Sequence, residues 1–269
     1  LKKKLLDTFK SFITNLPFYG YSIICIDNIN LKNLSKKINT RKIITYSKKQ
    51  KSDVRIISIR NNRNSTEFTL FFKNGIIKNI KGEIKFKLSL LGEHNVLNAT
   101  SAIIASLLCG ISINKITNSL SNFQGVKRRF SLLGKISKAS VYDDYAHHPS
   151  EIKASYEIAK LISKKNIIVI FQPHRYSRTK LLFNDFVNVL KKINILYILD
   201  IYSAGERPIK NINSINLVKK LRRKNKEVYY LGKSKTIKKI LQPYFNDDNI
   251  IIFMGAGSVT YLAQSLFTE

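Results

Sequence analysis

Sulphur-bearing residues are scarce in this sequence: its 269 residues include two cysteines and one methionine. Cys25 and Cys109 both lie in apolar runs, which predicts buried free thiols in a reducing compartment and excludes a disulfide framework. The single methionine is Met254, and the chain opens with Leu1. A chain that begins in this way is expected to be a fragment, or the product of an unusual start codon.

Long apolar runs are absent as well. No stretch of about 18 apolar residues occurs, which excludes a transmembrane helix. The first six residues resemble the charged start of a signal peptide, but Asp7, Lys10 and Asn15 interrupt any apolar segment behind it. Hydrophobic residues still make up 44% of the chain, enough to bury a core. The sequence therefore predicts a folded cytoplasmic protein without a membrane partner.

Acidic residues are few: 17 Asp and Glu stand against 47 Lys and Arg, which gives a formal net charge of +30. Such a charge is typical of proteins that bind nucleic acid. Here, however, the lysines are scattered along the whole chain, and no basic stripe is interleaved with aromatic residues. We therefore expect no nucleic-acid partner, but a basic surface that favours small polyanions such as nucleotides.

Several catalytic and metal-binding motifs are also missing. The chain has no Gly-x-x-x-x-Gly-Lys-[Ser/Thr] phosphate-binding loop and no Gly-x-Ser-x-Gly nucleophile elbow. It lacks the Cys-x-x-Cys and His-Glu-x-x-His spacings that hold zinc, and the side chains of the adjacent His147 and His148 diverge. We predict no metal site within this chain.

Apolar periodicity divides the chain at about residues 125–130. The first half predicts helices over 1–14, 30–38, 92–109 and 112–120, strands over 21–26, 43–46, 54–60, 66–73 and 84–90, and a hairpin turn at Asn74-Gly75. The second half predicts strands over 139–143, 167–171, 195–200, 227–230 and 249–253, and helices over 149–162, 178–191, 214–223, 234–241 and 258–266. This alternation predicts an α/β fold with a largely parallel, doubly wound sheet, whose ligands bind beyond the carboxyl ends of the strands.

One polar cluster follows the strand predicted over 139–143. Asp143, Asp144, His147 and His148 lie within six positions, just before Pro149, which suits the first turn of a helix. A carboxylate here can accept both hydroxyl protons of a ribose, and an imidazole can bind an anion or transfer a proton near neutral pH. The alternative is a helix cap with solvated charges. We favour a functional site.

A second cluster follows the next strand. Arg175 and Arg178 lie three positions apart at a predicted helix start, where both guanidinium groups can converge on one carboxylate or phosphate. Two cations at a helix N-terminus repel the helix dipole unless an anion is present. The sequence therefore predicts an anionic ligand here, against the alternative of ordinary surface arginines.

Three further segments leave their alternatives open. The amide of Asn98 suits the edge of an adenine, whereas His94 or Asn95 could equally cap a helix. The basic run at 127–130 either neutralises phosphates or is a solvated linker. In Met254–Ser258, close packing of strand on helix explains the glycines better than nucleotide binding does.

Seven segments together resemble a known family, the UDP-N-acetylmuramate–L-alanine ligases of the Mur ligase family. They lie in the family's order along essentially the whole chain: NLPFYG (15–20), GEHNVLNA (92–99), GVKRRF (125–130), DDYAHHPSE (143–151), QPHRYSR (172–178), DIYSAGERPI (200–209) and MGAGS (254–258). The segment QPHRYSR favours this member over the sister ligase that recycles murein peptides. Ser258 departs from the pattern, which has an acidic residue there.

The resemblance implies a domain division and a reaction. Residues 1–125 would be the C-terminal part of a central ATPase domain and 126–269 a Rossmann-like domain. The UDP-substrate domain, the P-loop and the Mg²⁺ ligands would lie upstream or on another chain. ATP would activate UDP-N-acetylmuramate as an acyl phosphate for attack by L-alanine in peptidoglycan synthesis. This fragment alone would be inactive, and a non-catalytic nucleotide-binding module is the alternative.

The resemblance also implies a role for each matching side chain. Asn98, with His94 or Asn95 beside it, would contact the adenine, Arg129 the phosphates and Asp144 the ribose. His148, Arg175 and Arg178 would face the carboxylate of the amino acid. The assignments between Arg128 and Arg129, and between His147 and His148, stay open.

Overall fold

The computed structural model describes residues 2–222, 227–232 and 236–268. The chain divides into two compact units, Leu1–Gln124 and Gly125–Glu269. Three of the predicted helices include positions outside the described residues: residue 1, residue 223 and residues 234–235. Within the described ranges, no helix combines the length and the apolar character needed to cross a bilayer.

The first unit is a mixed sheet covered by helices. Its elements are α1 (Lys2–Thr14), β1 (Tyr21–Cys25), α2 (Ile29–Ser35), β2 (Lys42–Ser47), β3 (Val54–Asn61), β4 (Thr66–Ile77), β5 (Ile80–Leu88), α3 (Glu93–Leu108) and α4 (Ile113–Asn122). The five strands lie in sequence order, and β1, β2 and β3 are parallel. Strand β4 pairs antiparallel with β3, and the edge strand β5 pairs antiparallel with β4. Val96 and Ile104 of α3 pack into a core with Val54 and Leu70, all fully buried.

The hairpin turn lies four residues beyond the predicted Asn74-Gly75. Strand β4 continues to Ile77, which pairs with Ile80, so the turn is Lys78-Asn79, and Asn79 takes a φ of 61°. Gly75 instead lies within a shift of register between Phe72 and Ile77, at a φ of 80° that favours glycine. A turn at the predicted place would have removed Ile77 from the core in which it is buried.

The prediction of two buried thiols was wrong. Cys25 is half-buried in β1, and burial raises the pKa of its thiol. Cys109 is exposed, because α3 ends there and the chain turns away through Gly110 at a φ of 79°. An apolar run therefore extended one residue past the end of the helix that it predicted.

The second unit alternates strands and helices. Its elements are β6 (Ser131–Ile136), β7 (Ala139–Asp144), α5 (Pro149–Ile162), β8 (Ile167–Phe171), α6 (Tyr176–Leu181), α7 (Phe183–Leu190), β9 (Ile195–Leu199), α8 (Ser214–Arg222), β10 (Val228–Gly232), α9 (Ile237–Leu241), a short 3-10 helix Gln242–Tyr244, β11 (Ile250–Met254) and α10 (Val259–Gln264). The strands lie in the order β10-β9-β8-β11-β7-β6, and all are parallel except the edge strand β6.

Helices cover both faces of this sheet, which confirms the predicted α/β class. One core contains side chains of α5, α7 and α8, and the other contains side chains of α9 and α10. Strands β8, β9 and β11 are buried along their whole length, as expected of parallel strands between two helical layers.

Two elements of the second unit differ from the sequence prediction. Strand β6 was not predicted; it contains Gly134, and a Cβ there would lie 2.9 Å from the ring of Phe267. The helix predicted over 178–191 is two helices that meet at Leu182, where φ is −109°. The first helix already begins at Tyr176, closer to β8 than predicted.

Candidate functional site

The carboxyl ends of three central strands lie side by side. Met254 at the end of β11 is in register with Asp144 of β7 on one side and with Phe171 of β8 on the other. An isolated bridge joins His174 to Tyr202, so the loops that follow β8 and β9 also run together. The polar clusters that follow these strands therefore meet at one edge of the sheet, where open α/β sheets bind their ligands.

Asp144 is held by its own loop and helix. Its side chain is 3% exposed; one carboxylate oxygen accepts from the Ala146 N–H at 2.9 Å and the other from the Ser155 hydroxyl at 2.5 Å. Burial raises the pKa of Asp144, although these hydrogen bonds and the nearby Arg129 oppose the shift. In this structure the carboxylate orders the loop.

Asp143 anchors the start of the second unit. Its carboxylate accepts from the Thr260 hydroxyl at 2.6 Å and lies 3.5 Å from Nε of Arg128. Arg128 in turn donates to the carbonyl of Gly255 at 2.7 Å and covers the ring of Tyr145. Asp143 Oδ1 and Arg128 Nε have no hydrogen-bond partner among the described residues. Arg128 is thus fixed in place, whereas the neighbouring Arg129 is exposed.

The two adjacent histidines have different environments. His148 is the N-cap of α5, and its Nδ1 lies 2.9 Å from the hydroxyl of Ser150. Glu151 completes a capping box by accepting from the backbone N–H groups of both histidines. His147 instead donates its Nδ1–H to the carbonyl of Tyr145 at 2.9 Å. The structure thus gives His148 the capping role that the sequence had left as an alternative.

His147 belongs to a group of rings and cations at the edge of the sheet. Its ring centroid lies 5.8 Å from that of His174, which stacks on Tyr202 at 5.4 Å. Arg178 places Nη1 3.1 Å from Nδ1 of His174 and 3.3 Å from its carbonyl oxygen. Because a guanidinium can only donate, Nδ1 of His174 accepts and the ring proton is on Nε2.

The imidazole of His174 is kept neutral by its surroundings. Burial lowers its pKa, and the charges of Arg178, His147 and Arg175 lower it further. His174 therefore contacts side chains from both polar clusters, His147 from the first and Arg178 from the second. His174 lies within the segment QPHRYSR, but its residue type and position alone did not predict a role for it.

The helix start at Arg175 holds an anion from the protein itself. Glu206, in the loop after β9, accepts from the backbone N–H of Ser177 at 2.9 Å and from its hydroxyl at 2.6 Å. These hydrogen bonds hold the pKa of Glu206 below its ordinary value. Nη1 of Arg175 lies 3.9 Å from Glu206. An internal carboxylate thus lies at this helix start, and an anionic ligand of Arg175 and Arg178 stays a prediction.

Backbone strain surrounds the same edge. Arg128, Arg175 and Ala204 have positive φ values of 62°, 71° and 49°, although none is a glycine. Residues held in this sparsely populated region cluster at functional sites in proteins generally. All three lie beside the polar groups described above.

The glycines after β11 serve close packing. A Cβ on Gly257 would lie 2.5 Å from Cγ of Tyr202, and one on Gly255 would lie 2.8 Å from the carbonyl of Gln172. The amide of Gln172 joins the two loops, accepting from the Val259 N–H and donating to Ser258. Close packing was the interpretation favoured from the sequence.

A cavity of about 690 Å³ lies at this edge of the sheet. Its wall combines side chains from the ends of β8 and β9 with the start of α10, among them Gln172, Tyr176, Asp200, Tyr202 and Ser258. Tyr202 therefore contacts His174 and also lines the cavity.

The remaining predicted residues lie in the first unit, at the start of α3. Gly92 is the N-cap, with a φ of 99° and no side-chain capping bond, so neither His94 nor Asn95 caps the helix. The Asn95 amide donates to the carbonyl of Leu91 at 2.7 Å, and Asn98 is exposed one turn further on. A ligand contact by Asn98, Asn95 or His94 stays a prediction.

Comparison with known families matches two adjacent parts of the chain. Residues 2–106 match the Mur ligase middle domain, and residues 128–257 match the Mur ligase glutamate ligase domain. The first match falls within the first unit of the structure and the second within the second.

Relatives match nearly the whole chain. A UDP-N-acetylmuramate–L-alanine ligase of Wigglesworthia glossinidia brevipalpis is 38% identical over 99% of this chain and 57% of its own length. One from Rickettsia felis is 41% identical over 97% of this chain and 56% of its own length. The chain thus spans little more than half the length of these relatives.

Solved structures share the fold. The UDP-N-acetylmuramate-alanine ligase MurC of Thermotoga maritima superposes with a TM-score of 0.71 at 25% identity, over 91% of this chain and 50% of that one. MurF of Acinetobacter baumannii gives a TM-score of 0.76 at 15% identity, over 100% of this chain and 56% of that one. Sequence and fold agree over both units, and the chain belongs to the Mur ligase family.

Proposed function

We propose that this protein is part of a cytoplasmic UDP-N-acetylmuramate–L-alanine ligase, which forms a carbon–nitrogen bond in peptidoglycan synthesis. The observation that carries the proposal is the group formed by Arg178, His174 and His147 at the carboxyl edge of the parallel sheet. The names of the relatives support it, since those at 38–41% identity are ligases of this specificity.

The proposed reaction joins L-alanine to UDP-N-acetylmuramate. ATP supplies the phosphoryl group that activates the lactyl carboxylate as an acyl phosphate, and the amine of L-alanine then displaces phosphate. As the amine adds to the acyl carbon, negative charge develops on the acyl oxygen of the tetrahedral intermediate, so fixed cations and hydrogen-bond donors lower the barrier. The chain contributes such groups at the edge of its second unit.

Arg178 and Arg175 are proposed to bind the carboxylate of the alanine moiety. Arg178 is already oriented by two contacts with His174, so little side-chain freedom is lost when a carboxylate binds. Glu206 lies near Arg175 at 3.9 Å, too long for a strong hydrogen bond, which leaves guanidinium donors of Arg175 for a ligand.

A histidine is proposed to complete this carboxylate site. The resemblance implied His148 for this contact, whereas in the structure His148 is the N-cap of α5. The position of His147 supports such a contact more directly, because its ring lies near His174 and its Nδ1–H is donated to the carbonyl of Tyr145, so that Nε2 can donate to a carboxylate when the ring is protonated.

Contacts to the nucleotide are proposed for side chains of each unit, taken separately. Arg129 fits a phosphate contact, because it is exposed, whereas Arg128 is held by the carbonyl of Gly255. Asp144 fits a ribose contact only if its carboxylate turns away from Ser155 and Ala146, to which it is bonded here. Asn98, with Asn95 or His94, is the proposed contact to the adenine.

The described residues do not fit a Mg²⁺ site by themselves. No three or more His, Cys, Asp or Glu side chains lie together among them in a way that could hold a metal ion. The Mg²⁺ that such a reaction uses is therefore proposed to be held by the P-loop portion of the enzyme, upstream or on another chain. One fold neighbour, MurF of Thermotoga maritima, was solved with ADP, which supports nucleotide binding by this fold.

The experiment that tests the proposal is alanine-dependent release of ADP from ATP in the presence of UDP-N-acetylmuramate and Mg²⁺. We expect no turnover by the chain alone, and turnover when a polypeptide that carries the remaining portion of a relative is added. Turnover with L-alanine replaced equally well by other amino acids would contradict the proposed specificity. No turnover in the assembled mixture would contradict the proposed reaction.

A further inference from the structure

Two loops at the carboxyl edge of the second unit, those after β8 and β9, are joined by backbone hydrogen bonds. The Tyr202 N–H donates to the carbonyl of Pro173 at 2.9 Å, and the Arg175 N–H donates to the carbonyl of Tyr202 at 2.8 Å. The rings of His174 and Tyr202 stack at the same junction. The conformation of the β8 loop therefore depends on the β9 loop.

Arg175 has a strained backbone that its neighbours hold from both sides. Its φ is 71°, a value that residues other than glycine rarely adopt. Its N–H is bonded to Tyr202, and its carbonyl accepts from both the N–H and the hydroxyl of the buried Thr179, at 3.1 and 2.8 Å. A strained conformation persists only where its surroundings fix it in this way. The backbone of Arg175 is therefore ordered before any ligand binds.

Glu206 makes a third connection between the two loops. One oxygen of its carboxylate accepts from the Ser177 N–H at 2.9 Å and the other from the Ser177 hydroxyl at 2.6 Å. Its own N–H donates to the carbonyl of Ser203 at 3.0 Å, across a turn in which Ala204 and Gly205 have φ values of 49° and 84°. A tight turn of the β9 loop thus directs this carboxylate to the first turn of α6.

The carboxylate of Glu206 could either replace a ligand at Arg175 or hold the helix on which the arginines lie. Its Oε1 is 2.6 Å from the Ser177 hydroxyl but 3.9 Å from Nη1 of Arg175. A carboxylate that replaced the ligand would approach the guanidinium to about 2.8 Å. The distances therefore favour the second role.

We propose that Glu206 is a positioning residue, which holds the first turn of α6 so that Arg175 and Arg178 face the carboxylate of the ligand. The inference rests on the proposed function. Arg178 follows Ser177 directly in the helix, so both arginines depend on the turn that Glu206 holds. Since Glu206 already accepts from the Ser177 N–H, the ligand is bound by the guanidinium groups and not by this backbone donor.

The sign of one effect separates positioning from simple electrostatics. Two negative charges repel each other, so removal of the Glu206 charge from beside an anion site should by itself strengthen the binding of an anionic ligand. Loss of a positioning residue should weaken that binding, because the arginines must then be ordered when the ligand binds.

The experiment is calorimetric titration of the chain with UDP-N-acetylmuramoyl-L-alanine and with its alaninamide analogue, in which the carboxylate is a neutral amide. We expect Glu206→Ala to bind the carboxylate ligand about fivefold more weakly and to lose preference for it over the amide by the same factor. Glu206→Gln should recover most of the loss, because its side-chain oxygen can still accept from Ser177. A purely structural defect would weaken both ligands equally.

Glu157→Ala is the matched control, since Glu157 is exposed on α5 and pairs with Lys160. It should leave both affinities unchanged. Ser177→Ala is a milder variant that removes only the hydroxyl donor, and it should reduce the preference for the carboxylate about twofold, so the test holds even if Glu206→Ala does not fold.

The inference is overturned if Glu206→Ala binds the carboxylate ligand more tightly, or if neither it nor Ser177→Ala reduces the preference for that ligand. A parent chain that binds neither ligand, or binds both equally, contradicts the proposed function on which the inference rests. A parent chain that prefers the carboxylate, with the same preference in the Glu206 and Ser177 variants, supports the proposed function and overturns only the positioning role.

Discussion

The polar segments at the carboxyl ends of β7 and β8 carry charged groups in different states. At the end of β7 and in the loop after it, both carboxylates and His148 are bonded to neighbouring groups of the same unit: Asp143 to Thr260, Asp144 to Ser155 and Ala146, and His148 to Ser150. In the loop after β8 and the first turn of α6, Arg175 and Arg178 have one face held by Glu206 or His174 and the other open.

The difference separates groups that maintain the candidate site from groups that we propose to bind a ligand. A buried carboxylate that is paired within the fold costs much to disturb and contributes to the stability of its segment. A guanidinium that is oriented but not neutralised contributes little to folding and remains available to an anion. Substitutions in the first loop should therefore change stability, and those in the second should change affinity.

The largest effect is expected for Asp143→Ala. It removes a buried carboxylate from Arg128 and Thr260, and leaving part of such a network unpaired costs about 3 kcal/mol in free energy of unfolding. Urea denaturation measures the change. Asp248→Ala is the control, because the exposed pair of Asp248 with Lys164 at 3.8 Å should contribute less than about 1 kcal/mol. Equal losses for both variants would remove the distinction between the loops.

Arg178→Gln should have the next largest effect, on binding alone. We expect the affinity for UDP-N-acetylmuramoyl-L-alanine, measured by calorimetric titration, to fall at least tenfold, about 1.4 kcal/mol. The melting temperature should stay close to that of the parent chain. Arg60→Gln, an exposed position on β3, serves as the control for lost positive charge. A similar loss of affinity in both variants would point to non-specific attraction of the anion.

The two histidines should respond in opposite ways. His148→Ala removes the N-cap of α5 and should reduce the free energy of unfolding by about 1 kcal/mol while leaving ligand affinity nearly unchanged. His147→Ala should weaken ligand binding with a smaller change in stability. Thermal unfolding measures the stability of both variants, and calorimetric titration measures their ligand affinity. A larger loss of affinity in His148→Ala than in His147→Ala would show that His148 makes the ligand contact.

The smallest effect concerns pH. The pKa of His174 is lowered in the folded chain from the ordinary value of 6.5, so the unfolded chain binds a proton first as the pH falls. Stability contributed by the neutral imidazole is therefore present above about pH 6.5 and is lost below it. The free energy of unfolding is measured against pH for the parent chain and for His174→Gln. The difference between the two profiles should show this decline. A flat difference between pH 5 and 8 would contradict a lowered pKa.

Much of the architecture followed from local patterns. The parallel strands read as short apolar runs because both of their faces are buried, and polar residues follow these strands at the carboxyl edge of the sheet. The hairpin at Lys78-Asn79 was missed because a favourable Asn-Gly pair occurred earlier, and only the burial of Ile77 excludes that turn. The burial of Ile77 in the core, and not the Asn-Gly pair, therefore determines where the hairpin turns.

The sequence indicated which side chains belong to the candidate site, but not which residues they contact. The sequence indicated Arg175 and Arg178 and the need for an anion at this helix start, yet Glu206 is 29 positions beyond Ser177 and reaches it only through the bridge between the loops after β8 and β9. Similarly, the choice between His147 and His148 depends on which ring faces His174, a contact between different loops.

The most direct test compares UDP-N-acetylmuramoyl-L-alanine with its alaninamide analogue, which replaces the terminal carboxylate by a neutral amide, for the parent chain and for Arg178→Gln. If Arg178 binds that carboxylate, calorimetric titration should show a loss of at least tenfold on amidation with the parent chain and almost none with the variant. Equal losses on amidation in both proteins would show that the carboxylate is recognised elsewhere and would contradict the account.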